Sequence, residues 1–147
     1  MTDQGASAVA LHEALSAWWD TVRDLRADSP QQDWERMTAH LADDCVLYFG
    51  GLGAPASVGV DAVVADLKQT LSYWRMVERR VLAHGLSADG STVFASMNNR
   101  LEILGDGIDF PETEVVTFDD EQKITRYELY CDPTPIKAVF AAKNPAS

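Results

Sequence analysis

The hydrophobic positions fall first at helical spacing. Leu11, Leu15, Trp18, Val22 and Leu25 recur every three or four residues, one stripe along an α-helix from about Ser7 to Arg26. Trp19 lies beside the stripe and widens it. Ser29-Pro30 breaks the helix. Trp34, Met37 and Leu41 then mark a short second helix over 33–42. Cys45-Val46-Leu47-Tyr48-Phe49 reads as a buried strand, and the glycine-rich run 50–55 as a loop. Val63, Val64, Leu67 and Leu71 predict a third helix over 61–71, with Asp61 near its start.

The pattern after residue 75 is that of strands. Segments 76–86, 92–104, 109–118 and 123–131 are separated by Asp89-Gly90, by Gly105-Asp106-Gly107 and by the acidic turn 119–122. Pro133 and Pro135 end the last strand, and a short helix is expected over 136–142. Helices first and hairpins after predict an α+β domain with an antiparallel sheet. The 147 residues fit one domain, 1–147, with 1–6 and 143–147 as loose tails.

Composition narrows the function classes. A net charge of −11 disfavours nucleic acid and anionic membrane surfaces as partners. Four Trp, five Phe and four Tyr supply a core. Neither a signal peptide nor a membrane span is expected, which predicts a cytoplasmic protein. Cys45 and Cys131 read as reduced thiols. The sequence carries no nucleotide loop, metal-ligand cluster or nucleophile motif, so neither a metal nor a cofactor is expected.

Candidate chemistry depends on strand register. Pairing Leu104 with Ile108 sets Arg100 opposite Glu112 and Asn98 opposite Glu114; pairing Asp119 with Gln122 sets Glu114 opposite Tyr127 and Glu112 opposite Leu129. Asn98, Arg100, Glu102, Glu112, Glu114 and Tyr127 then share one face, which a one-residue slip would scatter. Two readings stand. The face is solvated and its ion pairs count for little, or it is concave and carboxyls around one guanidinium split into an acid and a base.

Four segments resemble a known group of proteins. They are Leu41-Ala42-Asp43-Asp44-Cys45-Val46, then Gly59-Val60-Asp61-Ala62-Val63, then Val116-Thr117-Phe118-Asp119 with Lys123-Ile124, and finally Tyr127-Glu128-Leu129-Tyr130-Cys131-Asp132-Pro133. In this order they resemble the nuclear transport factor two-like superfamily, in its SnoaL-like and limonene-epoxide-hydrolase-like branch. The resemblance implies a cystatin-like cone, a curved, mainly antiparallel sheet wrapped around N-terminal helices and a central pocket. Arg100-Leu101-Glu102 resembles the Arg-x-Asp dipole of the epoxide hydrolases, with Glu for Asp. That group's second aspartate falls on Leu129, and its Tyr and Asn fall on Leu47 and Phe49.

The resemblance implies a catalytic set of Arg100, Glu102 and Tyr127. Glu102 is the acid or base, and Tyr127 and Asn98 are hydrogen-bond donors. Tyr48, Glu112 and Glu114 join the pocket, and Trp18, Trp19, Phe49 and Leu129 wall it. The expected activity is cofactor-independent proton transfer on a hydrophobic polyketide-, steroid- or terpenoid-like molecule: isomerisation, dehydration, cyclisation or epoxide opening. A non-catalytic ligand-binding or dimerisation module is the alternative. An apolar outer face, read as Met97, Leu101, Val115 and Tyr130, predicts a homodimer through the sheet. His12 and His40 read as surface residues, His84 as facing away from Arg100, and Arg79-Arg80 as balancing the acidic sheet.

Overall fold

A computed structural model describes residues 2–143, with side chains from Val9 onward. Four helices and seven strands run in the order α1 (Thr2–Asp24), α2 (Gln31–Thr38), β1 (Leu41–Gly50), β2 (Ser57–Val58), α3 (Val60–Leu71), β3 (Trp74–Glu78), β4 (Val81–Leu86), β5 (Thr92–Ile103), β6 (Asp106–Phe118), β7 (Ile124–Cys131) and α4 (Thr134–Lys143). The backbone expected to be a loose tail at 2–6 is helical, because α1 begins at Thr2. The tail expected at the other end lies, from residue 144, outside the described residues.

The strands form one sheet in the order β2-β1-β7-β6-β5-β3, with β4 also on β5. All pairings are antiparallel except β1 with β7, which run parallel. The architecture is the expected α+β cone, with helices laid into a curved sheet. Inward residues of α1 (Leu11, Leu15, Trp18, Trp19), of α3 (Val63, Leu67) and of the sheet (Val93, Met97, Leu101, Val116, Ile124) merge into one buried core. The stripe read along α1 is therefore the surface that fills the cone.

The strand expected over 76–86 is two strands. Both pair with β5, and the ladder shifts register between Met76 and Glu78 and again between Val81 and Ala83. Arg79 and Arg80 occupy this bulge. Asn99, fully buried on the inner face of β5, accepts the Arg80 backbone N–H at 2.9 Å, and the Arg80 carbonyl accepts the Asn98 N–H at 2.9 Å. A bulge re-aims side chains. Here it sends Arg79 inward, its guanidinium 4.3 Å from the centre of the Trp19 ring.

The turn between β5 and β6 fixes which residues face the cone. It is a two-residue turn, Leu104-Gly105, both with positive φ (51° and 87°), closed by the pair Ile103 and Asp106. This is the primed turn geometry that matches strand twist. Gly105-Asp106-Gly107 predicts a three-residue turn instead. The resulting offset between the strands is odd, and an odd offset exchanges faces. Arg100 pairs with Asp109 rather than Glu112, and Asn98 with Pro111 rather than Glu114. Between β6 and β7 the offset from expectation is even: Glu114 pairs with Leu129 and Glu112 with Cys131. Glu112, Glu114, Tyr127 and Leu129 therefore keep a common face, and that face is the buried one.

Candidate active site

The site grows from β6 inward. Glu112 and Glu114 are two residues apart on one strand, so their side chains leave on the same side. Both are buried, at 4% and 2% exposure. Glu114 has a complete set of donors. Its Oε2 accepts the Trp19 indole N–H at 2.6 Å, and its Oε1 accepts the Tyr127 hydroxyl. Glu112 has none: neither carboxyl oxygen finds a hydrogen-bond partner of full geometry. The Glu114 carboxyl and the Asn99 amide still lie close enough to act on its ionisation.

The electrostatics follow from this asymmetry. Burial, reinforced by the charge of Glu114, pushes the Glu112 carboxyl well above the usual glutamate range. Burial also raises Glu114, but the nearby Glu112 carboxyl, the bonds from Tyr127 and Trp19 and the charge of Arg79 work the other way. Tyr127 is pushed well above the usual phenol range by burial and by both carboxyls, and stays neutral. Two carboxyls this close share one negative charge. The donors held by Glu114 favour the charge there, and burial without donors favours the proton on Glu112.

The pair borders a largely apolar cavity of about 60 Å³ walled by Trp18, Phe49, Leu67, Trp74, Met76 and Leu129. The Trp18 indole N–H is also buried without a partner, and its ring lies 4.8 Å from that of Tyr127. Arg79 stands behind Trp19, 3.5 Å from Asp20. His12 on α1 stacks on His84 of β4 at 3.8 Å and meets Trp19 edge-on at 6.0 Å. A row of rings thus runs from the outer edge of β4 to the acid pair.

Of the residues read from the sequence, Trp18, Phe49, Glu112, Glu114, Tyr127 and Leu129 border the cavity. Arg100, Glu102 and Asn98 do not. The exchanged register turns them to the convex face. There Arg100 pairs with Asp109 at 3.2 Å and Glu102 lies 3.9 Å from Arg75. A Cβ added at Gly107 would fall 2.6 Å from the Arg100 guanidinium, so Arg100 lies flat over that glycine on the outside. Tyr48 also faces out, its ring 6.1 Å from that of Tyr130, because Leu47 and Phe49 take the inward positions of β1.

Three features escaped the sequence reading. His12 is stacked and partly buried rather than a surface residue, Arg79 turns inward, and Asn99 holds the bulge. Only Asn99 carried a signal, as a polar residue in an otherwise apolar alternation from Val93 to Ile103. Cys45 is buried, Cys131 is half-buried, and both are free thiols. Among the described residues no group of three or more His, Cys, Asp or Glu is placed to hold a metal, and no helix is long and apolar enough to cross a membrane.

Residues 22–127 match the model of the SnoaL-like domain. The chain belongs to the SnoaL-like family. Solved structures agree in fold. A Xanthomonas campestris pv. campestris protein assigned as a polyketide cyclase superposes with a TM-score of 0.70 at 19% identity, over 92% of this chain and 97% of that one. An epoxide hydrolase of the limonene type from M. tuberculosis gives 0.64 at 20% identity, over 96% and 98%. A Catenulispora acidiphila protein of ketosteroid-isomerase-like fold, in complex with trimethylamine, gives 0.68 at 15% identity, over 86% and 90%. At these identities the likeness is one of fold. No curated protein matches the sequence. The SnoaL-like fold carries many chemistries, and the site residues decide among them.

Proposed function

We propose that this SnoaL-like chain is a small acid–base enzyme whose proton-transfer group is Glu112. The observation that carries the reading is the pair of buried carboxyls on an apolar cavity, one with every donor and the other with none. Glu114, held by Trp19 and Tyr127, acts through Glu112. Burial first, and the charge of Glu114 beside it, hold the proton on Glu112 and so set a carboxylic acid to work. Glu112 delivers its proton to a substrate oxygen and its conjugate base recovers one from carbon or water. The free indole N–H of Trp18 is a donor for the same oxygen. This chemistry covers isomerisation, dehydration, cyclisation and epoxide opening, and the fold is shared with proteins assigned to cyclisation and epoxide hydrolysis.

The cavity of about 60 Å³ favours a slim substrate over a fused four-ring one, since drug-sized sites begin at about 300 Å³. The test pairs a turnover screen of aliphatic epoxides, β-hydroxy ketones and β,γ-unsaturated ketones with Glu112→Gln. Loss of turnover by about 10²–10⁴-fold is expected, the usual worth of a positioned acid or base. Turnover within twofold of the native protein would remove Glu112 from the chemistry. A ligand that binds both proteins and is transformed by neither would mark a binding module instead.

Pairing of two copies through the convex sheet is a separate proposal. Met97 and Leu101 give it no support, because both are buried inside the protomer. Phe94 and Tyr130, more than two-fifths exposed on that face, do. Light scattering at micromolar concentration is expected to give twice the chain mass, and the mass of one chain would overturn the pairing.

A further inference from the structure

The wall of the cavity opposite the sheet is the last part of α1 and the residues just after it. It presents Trp18, Trp19 and Val22, and then Arg23 and Arg26. Two guanidiniums at the rim of an apolar cavity stand out in a chain of net charge −11. Arg23 is loosely engaged, 3.7 Å from Asp20 and 3.6 Å from Asp24. Arg26 has no carboxylate within 4.0 Å among the described residues. Its Nη1 donates to the carbonyls of Arg23 (2.9 Å) and Leu25 (2.8 Å), capping the helix end. Capping uses one nitrogen of three, and the remaining fork is the kind that grips a carboxylate or phosphate. The helix end carries partial negative charge, so an anion is held here only through the guanidiniums.

We infer that the ligand of this cavity is an apolar chain with an anionic group at one end, held at the rim by Arg26 and Arg23 while its other polar function meets Glu112. This rests on the acid–base reading of the same site. The helix supplies the spacing. Trp19 is fixed to Glu114 at 2.6 Å, and Arg23 and Arg26 follow it by four and seven positions. α1 ends at Asp24, so the rise of about 1.5 Å per residue sets Arg23 roughly 6 Å beyond Trp19 along the axis, and Arg26 lies past the helix end. An apolar chain of several carbons therefore separates the anionic group from the function that meets Glu112. The anion is a carboxylate or a phosphate monoester. Arg75 borders the same rim but turns its guanidinium outward, to within 3.9 Å of Glu102.

Calorimetric titration at low salt with octanoate, monooctyl phosphate and the uncharged octanamide tests this. One of the two anions is expected to bind at least about 10-fold more tightly than the amide, consistent with a charge-assisted bond, and which one does so identifies the head group. Arg26→Gln is expected to abolish that preference and Arg26→Lys to restore part of it, while Arg36→Gln on α2 leaves it intact. If Arg26→Gln fails to fold, Arg23→Gln carries the same comparison one turn nearer the acid pair. Anions and amide binding alike, or a preference that survives Arg26→Gln and Arg23→Gln together, overturn the anionic ligand and leave the acid–base site standing. Binding of none of the three at millimolar concentration overturns the anionic ligand, while the acid–base reading falls only if turnover survives Glu112→Gln.

Discussion

The two faces of the β5–β6 hairpin carry the same kind of side chain and make opposite use of it. On the convex face Asp109 sits between Arg80 and Arg100, at 2.9 and 3.2 Å, in water. Those bonds hold its carboxyl below the usual aspartate range. On the concave face Glu112 and Glu114 have no arginine in contact and almost no water, and both are pushed up. Asp109 is three residues from Glu112. Neither sequence neighbourhood nor residue type separates them; the pleat does. Ion pairs on the outside make a carboxylate inert and cheap. Burial on the inside makes a carboxylic acid that is hard to ionise.

The comparison is sharpened most by Glu112→Gln, followed as stability against pH. The folded-state pKa of Glu112 is raised, so its contribution is fully present below the ordinary glutamate value of 4.5 and is lost as pH rises through the folded value. The native state holds a proton the unfolded chain has released. Chemical denaturation at pH 5 and pH 8 should show native stability falling with pH, and falling less in Glu112→Gln. The gap is expected to be at least about 1.4 kcal/mol, the worth of a tenfold change in an ionisation constant. Equal slopes in the two proteins would place Glu112 among ordinary solvated carboxyls.

Glu102→Gln asks the converse of the outer face. Its side chain is 41% exposed and its partner Arg75 is 3.9 Å away, so the change is expected to stay within about 0.5 kcal/mol of native stability. It should also leave turnover untouched. A loss of turnover on the scale of Glu112→Gln would return catalysis to the convex face.

How much of this was legible in the chain follows from the range of each interaction. The α1 stripe, the β5 alternation and the hairpin order are local patterns, and they imposed the cone. The family resemblance rests on short segments in order, and the match over 22–127 confirms it. The site was half legible. Glu112, Glu114, Tyr127, Leu129, Phe49 and Trp18 border the cavity because they obey alternation or the helical stripe. Arg100, Glu102 and Asn98 share that face only if the turn is Gly105-Asp106-Gly107; the actual turn begins at Leu104, with φ of 51°, and sends them to the other face. Leucine is uncommon in that region, and Gly-Asp-Gly one residue later is the stronger local turn signal. The break at Arg79-Arg80 has no Gly or Pro to announce it. The His12–His84 stack and the parallel β1–β7 pairing are contacts between distant segments that no local pattern encodes.

The hydrogen bond from Trp19 to Glu114, together with the Trp18 ring against Tyr127, has an optical consequence. Indole emission responds to neighbouring charge and to proton donors, and two of the four indoles touch the carboxyl pair or the tyrosine that anchors it. Neither of the remaining two bonds to the carboxyls or packs its ring on Tyr127, although Trp74 walls the same cavity. Trp34 is buried beneath the Lys68 ammonium at 5.2 Å, and Trp74 packs on Phe49 at 5.9 Å. The protein therefore carries a built-in fluorophore at its acid centre, and the protonation and occupancy of that centre can be followed by light without attaching a label.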